Sequence, residues 1–167
     1  MQRSLTQGPI ARNMLLFALP LMCGNLLQQM YNIADTWVVG RFIGEGALAA
    51  VGSSYTLMTF LTSILLGLCM GSSVYFSIQY GRQDPDRLRN GIFQSFLLIG
   101  GLTLLLNLTV YLALDGILVL LQIPPDILGL TKEYLQWIFA GMVATFLYNF
   151  FANLLRSVGD SATPLVF

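Results

Sequence analysis

Apolar positions run along this chain in four long blocks, at about residues 14–39, 47–80, 91–114 and 133–155, with a fifth beginning near residue 164. A helix needs about 20 apolar residues to cross the hydrocarbon core of a bilayer, and each block reaches that length. The pattern predicts an all-α, polytopic membrane helix bundle of four transmembrane helices plus the start of a fifth. The second block is longer than a bilayer is thick, which requires tilt or a projecting end. Polar breaks separate the blocks: RFIGEG, GRQDPDRLRN, a longer connection through DGILVLLQIPPDILGLTKEY, and RSVGDSATP. Within the longer one, ILVLLQIPPDIL is too short to span. Its Pro124–Pro125 pair breaks helix, so the stretch reads as an interfacial segment. After RSVGDSATP the run PLVF opens and the sequence stops, as expected of the N-terminal part of a longer protein.

The first block departs from its own pattern. GNLLQQMYNIADTWVVG carries Asn25, Gln28, Asn32 and Asp35 at steps of three, four and three. That spacing places them on one helical face. Of the eight acidic residues, seven fall in breaks or at block ends, and Asp35 alone lies within a span. A carboxylate at the centre of a membrane helix costs roughly 2.5–3.5 kcal/mol on insertion scales, less toward an end. Such groups face a protein interior or a wet cavity, and they commonly mark ion or proton paths. A stripe of amides leading to one carboxylate supplies oxygen ligands for a cation and a group that takes up a proton. The alternative is hydrogen bonding to neighbouring helices and nothing more. Pro20, earlier in the same block, removes one helix hydrogen bond and predicts a kink. That kink is either static or a hinge whose bend depends on the charge at Asp35.

Composition supports the membrane reading. The 167 residues are 56% apolar and 10% charged, against about 25% charged in a soluble domain. Mean hydropathy is +0.72. Lys+Arg and Asp+Glu both total 8, so no nucleic-acid partner is indicated. Histidine is absent, which removes His-dependent triads and His-ligated metals and leaves carboxylates as the proton carriers near neutral pH. The chain also lacks paired intramembrane acids or a serine nucleophile with a candidate base, so it does not read as an enzyme. Cys23 and Cys69 lie in different blocks without a metal or redox spacing and are expected to be buried, unreactive thiols. Gly67 and Gly71 form a GxxxG pattern that predicts close helix packing. Arg3, Arg12, Arg82, Arg87, Arg89 and Arg156 fall on one side of the membrane, Arg41 and Lys132 on the other. This asymmetry predicts a multi-pass plasma-membrane protein, of the bacterial inner membrane, with a cytoplasmic N-terminus.

Five stretches, in this order, carry a resemblance: LPLMCGNLLQQMYNIADTWVVG, ALAAVG, YGRQDPDRLRN, IPPDILGLTKEYLQ and NLLRSVGDSATPL. Together they resemble the MATE (multidrug and toxic compound extrusion) transporters, and the Asp of YNIAD is similar to the DinF-like branch. The resemblance implies a twelve-helix protein of two six-helix bundles that alternates access between them. It implies exchange of protons or sodium ions for drugs or metabolites, often cationic or aromatic small molecules. Residues 1–167 would then be the N-terminal part of the first bundle, inactive alone, with C-terminal helices of the same protein missing. Under this resemblance Asp35 matches the first-helix aspartate and Pro20 the proline at which that helix bends. Asn32, Gln28 and Asn25 join Asp35 as the candidate cation- or proton-coupling set, with no catalytic residue and no cofactor. Sodium at Asp35 is the one metal ion it suggests. Further family ligands, an Asn and an Asp on the fifth helix, would lie beyond Phe167. Two other readings stand beside it. One is a lipid-linked glycan flippase of the same superfamily, whose cavities carry basic residues that the spans here lack; the other is a structural membrane subunit.

Overall fold

Each apolar block folds as a helix in the computed structural model, which describes the backbone of residues 10–166 and the side chains of 11–164. Arg3 lies outside the described residues. The elements are α1 (Ile10–Val38), α2 (Glu45–Gly81), α3 (Pro85–Leu120), α4 (Pro125–Ser157) and a short α5 (Thr163–Val166). A wider π-type turn, Val39–Ile43, follows α1. Gly44 then turns the chain into α2 with φ of 111°, a conformation that side chains disfavour. Among the described residues, four helices are long and apolar enough to cross a membrane.

Helix ends follow local chemistry. Asp84 caps α3, its Oδ1 accepting from the Arg87 N–H at 3.0 Å, and Pro85 occupies the first turn. The segment ILVLLQIPPDIL does not form a separate interfacial element. Its first residues finish α3, residues 121–124 make a tight turn with Gln122 at φ 53°, and α4 starts at Pro125. Pro124 is extended (φ −56°, ψ 140°), as a residue before proline prefers. Pro125 sits where a helix needs no N–H. The proline pair therefore begins a helix. Helices α3 and α4 hold 36 and 33 residues, about 54 and 50 Å at 1.5 Å per residue, so both outrun a hydrocarbon core of about 30 Å.

Helices α2, α3 and α4 pack together. One core cluster lies toward the α3–α4 turn and includes Leu65, Leu114, Leu118, Leu135 and Phe139. A second lies toward the α2–α3 turn around Cys69, Phe76, Ile99, Phe146 and Phe150. There the Phe150 ring stands edge-on to Phe76 and Phe96, at centroid distances of 6.1 and 5.4 Å. Polar side chains in the core are satisfied locally. The hydroxyls of Ser54 and Thr103 donate to carbonyls one turn back, each at 2.7 Å, and Asn107 Nδ2 crosses to the Phe139 carbonyl. Buried donors need such partners where water is absent. Gln79 Oε1 is an exception, buried with no partner among the described residues, and Arg156 Nε near the end of α4 is another.

Gly91 lets α3 approach α2. A Cβ there would stand 2.3 Å from Cε1 of Tyr75. Gly91→Ala is expected to destabilise by about 1–3 kcal/mol, as overpacking does. The low end applies if the Tyr75 ring, 42% exposed, can swing aside. An unchanged thermal midpoint would refute the close approach. By contrast, Gly67 and Gly71 are exposed, and a Cβ at either meets nothing within 4 Å. The GxxxG face thus has no partner among the described residues. Cys69 is buried as expected, whereas Cys23 is exposed on α1.

The loop after α4 is held by Asp160, whose carboxylate accepts from the Thr163 N–H and hydroxyl (3.0 and 2.6 Å) and from the Ala162 N–H (3.2 Å). The Thr163 bonds hold its pKa below the ordinary 3.8. A depressed folded pKa gives stability that is present above the ordinary value and lost as pH falls through the lowered one. Amide exchange at Thr163 is therefore expected to stay slow at pH 5 and to quicken only under strongly acidic conditions. Quickening already at pH 5 would contradict the cap.

Candidate functional site

Helix α1 stands apart from the three-helix core. It touches α5 and joins α2 through the π-type turn, and its spanning window has no buried residue. It is unbroken from Ile10 to Val38, so Asn25, Gln28, Asn32 and Asp35 do share one narrow face. Counted back from Gln28, the same line continues through Gly24, Leu21 and Phe17, at helical steps of four, three and four. Those three residues are half-buried, while the stripe itself is exposed. The polar face is therefore the one that α1 turns toward the rest of the chain at its covered end.

Tyr134 of α4 comes near the end of the stripe. Its phenol lies within electrostatic range of both Asp35 and Tyr31. Along the stripe, Asn32 Nδ2 donates to Gln29 Oε1 at 3.2 Å, and the Thr36 hydroxyl donates to the Asn32 carbonyl at 2.8 Å. Gln29 and Thr36 thus widen the polar face beside Asp35. Asp35 forms no ion pair among the described residues. These residues form one exposed polar face of α1. Among the described residues no three His, Cys, Asp or Glu side chains converge as a metal cluster.

Pro20 is half-buried inside α1. Having no N–H, it leaves the Leu16 carbonyl without its helical donor. The freed carbonyl lies within the covered end of α1, ahead of the stripe. Thr36 and Tyr134 were not singled out by spacing. The Thr36 signal was its position next to Asp35; Tyr134 is brought near only by the tertiary fold.

The MatE family model matches residues 20–167, which takes in Pro20 and the whole stripe. The chain is 33% identical over 162 residues to the probable multidrug resistance protein YpnP of Bacillus subtilis, covering 97% of this chain and 36% of that protein. It is 34% identical over 155 residues to the probable multidrug resistance protein YoeA of the same organism, covering 92% and 33%. To the multidrug export protein MepA of Staphylococcus aureus it is 29% identical over 166 residues, covering 96% and 36%. The chain thus spans about a third of the length of these relatives. No solved structure matches it.

Proposed function

This chain belongs to the MatE family, and from that premise we propose that it forms the N-terminal part of the first bundle of a secondary active efflux transporter. The whole protein exports drugs or metabolites in exchange for protons or sodium ions. The observation that carries this reading is Asp35, a lone carboxylate at the end of an amide stripe on the α1 face that is partly covered further back. Oxygens of Asn32 and Gln28 suit a hard cation there. A proton or sodium ion neutralises Asp35, and its departure leaves a negative wall that attracts a cationic solute. One carboxylate cannot neutralise both at once, so occupancy by one weakens the other, which is the coupling an exchanger needs. Pro20 supplies the place where α1 bends between the two states, while α2–α4, locked by their aromatic core, move as one body. The N-terminus lies in the cytoplasm, with Arg12, Arg82, Arg87, Arg89 and Arg156 on that side.

The test is transport by the full-length protein in proteoliposomes, with ethidium as a cationic aromatic probe. Export is expected to accelerate under an imposed proton or sodium gradient. Export indifferent to both gradients overturns the proposal.

A further inference from the structure

Away from α1, a cleft of about 570 Å³ opens between α3 and α4 near their connecting turn, lined by Tyr111, Gly129, Lys132, Glu133, Gln136 and Trp137. We propose that it holds the headgroup of an amine-bearing zwitterionic phospholipid in the leaflet at that end of the bundle. Lys132 pairs with Asp115 across the two helices. Glu133 has no ion-pair partner among the described residues. With Lys132 already facing Asp115, Glu133 is left as the uncompensated charge of the cleft, and a lipid amine answers it. A lipid amine meets Glu133 and the faces of Trp137 and Tyr111. Its phosphate meets the remaining Lys132 donors, the Gln136 amide and the indole N–H.

The surroundings favour a lipid over a soluble solute. Trp137 is 74% exposed and Tyr111 50%, large amphipathic rings at the level where membrane proteins place them, between hydrocarbon and headgroups. From Tyr111 an exposed apolar row continues down α3 through Leu108 and Leu104. From the cleft a matching row continues down α4 through Val143 and Leu147, both exposed. Seven residues of helix from Tyr111 to Leu104 are about 10 Å, enough to seat the upper part of an acyl chain. This face of α4 lies opposite its buried side, Leu135, Phe139 and Met142. Tyr134, which is near Asp35, does not line the cleft, so the lipid site does not depend on the transport reading.

Native mass spectrometry of the full-length protein, delipidated and titrated with phosphatidylethanolamine or phosphatidylglycerol of the same chains, tests the proposal. Phosphatidylethanolamine is expected to bind about fivefold more tightly than phosphatidylglycerol, on the scale of an exposed cation–π contact. Glu133→Gln should remove most of that preference while leaving phosphatidylglycerol binding unchanged, and Trp137→Leu should weaken both lipids and narrow the gap between them. Equal binding of the two lipids, or an unaltered preference in both variants, overturns it. In a second measurement, Trp137→Cys in a Cys23→Ser background is treated with a maleimide in lipid-free detergent, and the label at position 137 is read by peptide mass spectrometry. Labelling is expected, and its failure would show that a protein segment covers the cleft, which also overturns the proposal.

Discussion

Asp35→Asn in the full-length protein is expected to reduce gradient-driven export to roughly a hundredth or less, the upper range of a coupling free energy between two ligands. Asparagine keeps the shape of the side chain and removes the charge, so it also removes the penalty of a carboxylate in the membrane. Insertion and thermal stability should therefore hold or improve while export fails. That opposite movement of stability and activity separates a coupling role from a structural one. A carboxylate retained for packing would lose stability on substitution, and one retained for surface solvation would change neither quantity. Asp35→Glu should keep part of the activity, because the charge remains on a longer arm. Export by Asp35→Asn at the unsubstituted rate would remove Asp35 from the mechanism.

The neighbouring amides give the same experiment a gradient. Asn32→Leu lies one turn from Asp35 and should weaken export strongly, whereas Asn25→Leu, at the far end of the stripe, should weaken it least. Equal losses along the stripe would indicate disturbed helix packing. Radioactive sodium binding, or proton release on adding substrate, distinguishes the two coupling ions in the same set of variants.

What the sequence made legible follows from which interactions are local. The four spans were readable because a bilayer demands about 20 apolar residues regardless of neighbours. The stripe was readable because a helical repeat places Asn25, Gln28, Asn32 and Asp35 on one face from spacing alone. Helix ends were less so. Hydropathy stops at the membrane, but α3 and α4 continue into water as far as Asp84 and Pro125 allow. Pro124–Pro125 read as a break because proline interrupts a helix, yet the second proline is a good first residue for the next one. Cys23 and the Gly67–Gly71 face show the other limit. Their burial depends on what packs against α1 and α2, which no local pattern records. The approach of Tyr134 to Asp35 is of the same kind, since it joins positions 99 residues apart in the chain.

Pro20→Ala is expected to slow turnover by about a hundredfold while leaving ion binding at Asp35 in place. Proline in a helix interior disfavours the straight form by about 3 kcal/mol, because it lacks an N–H and crowds the carbonyl four residues back. Alanine returns an N–H to the Leu16 carbonyl and relieves the crowding. If α1 alternates between bent and straight forms of similar energy, 3 kcal/mol toward the straight one shifts their ratio by about two orders of magnitude. The transporter would then dwell in one access state. Binding survives because Asp35 lies fifteen residues further along α1, and thermal stability rises because a helix bond has been added. Pro20→Gly provides the discriminating case. It also restores the N–H but lowers helix preference by about 1 kcal/mol relative to Ala, so its turnover should fall between the other two. A merely static kink predicts another order: Ala and Gly both transport at the unsubstituted rate. That result would leave Asp35 as the coupling group and transfer the conformational change to the contacts of α1 with its neighbours.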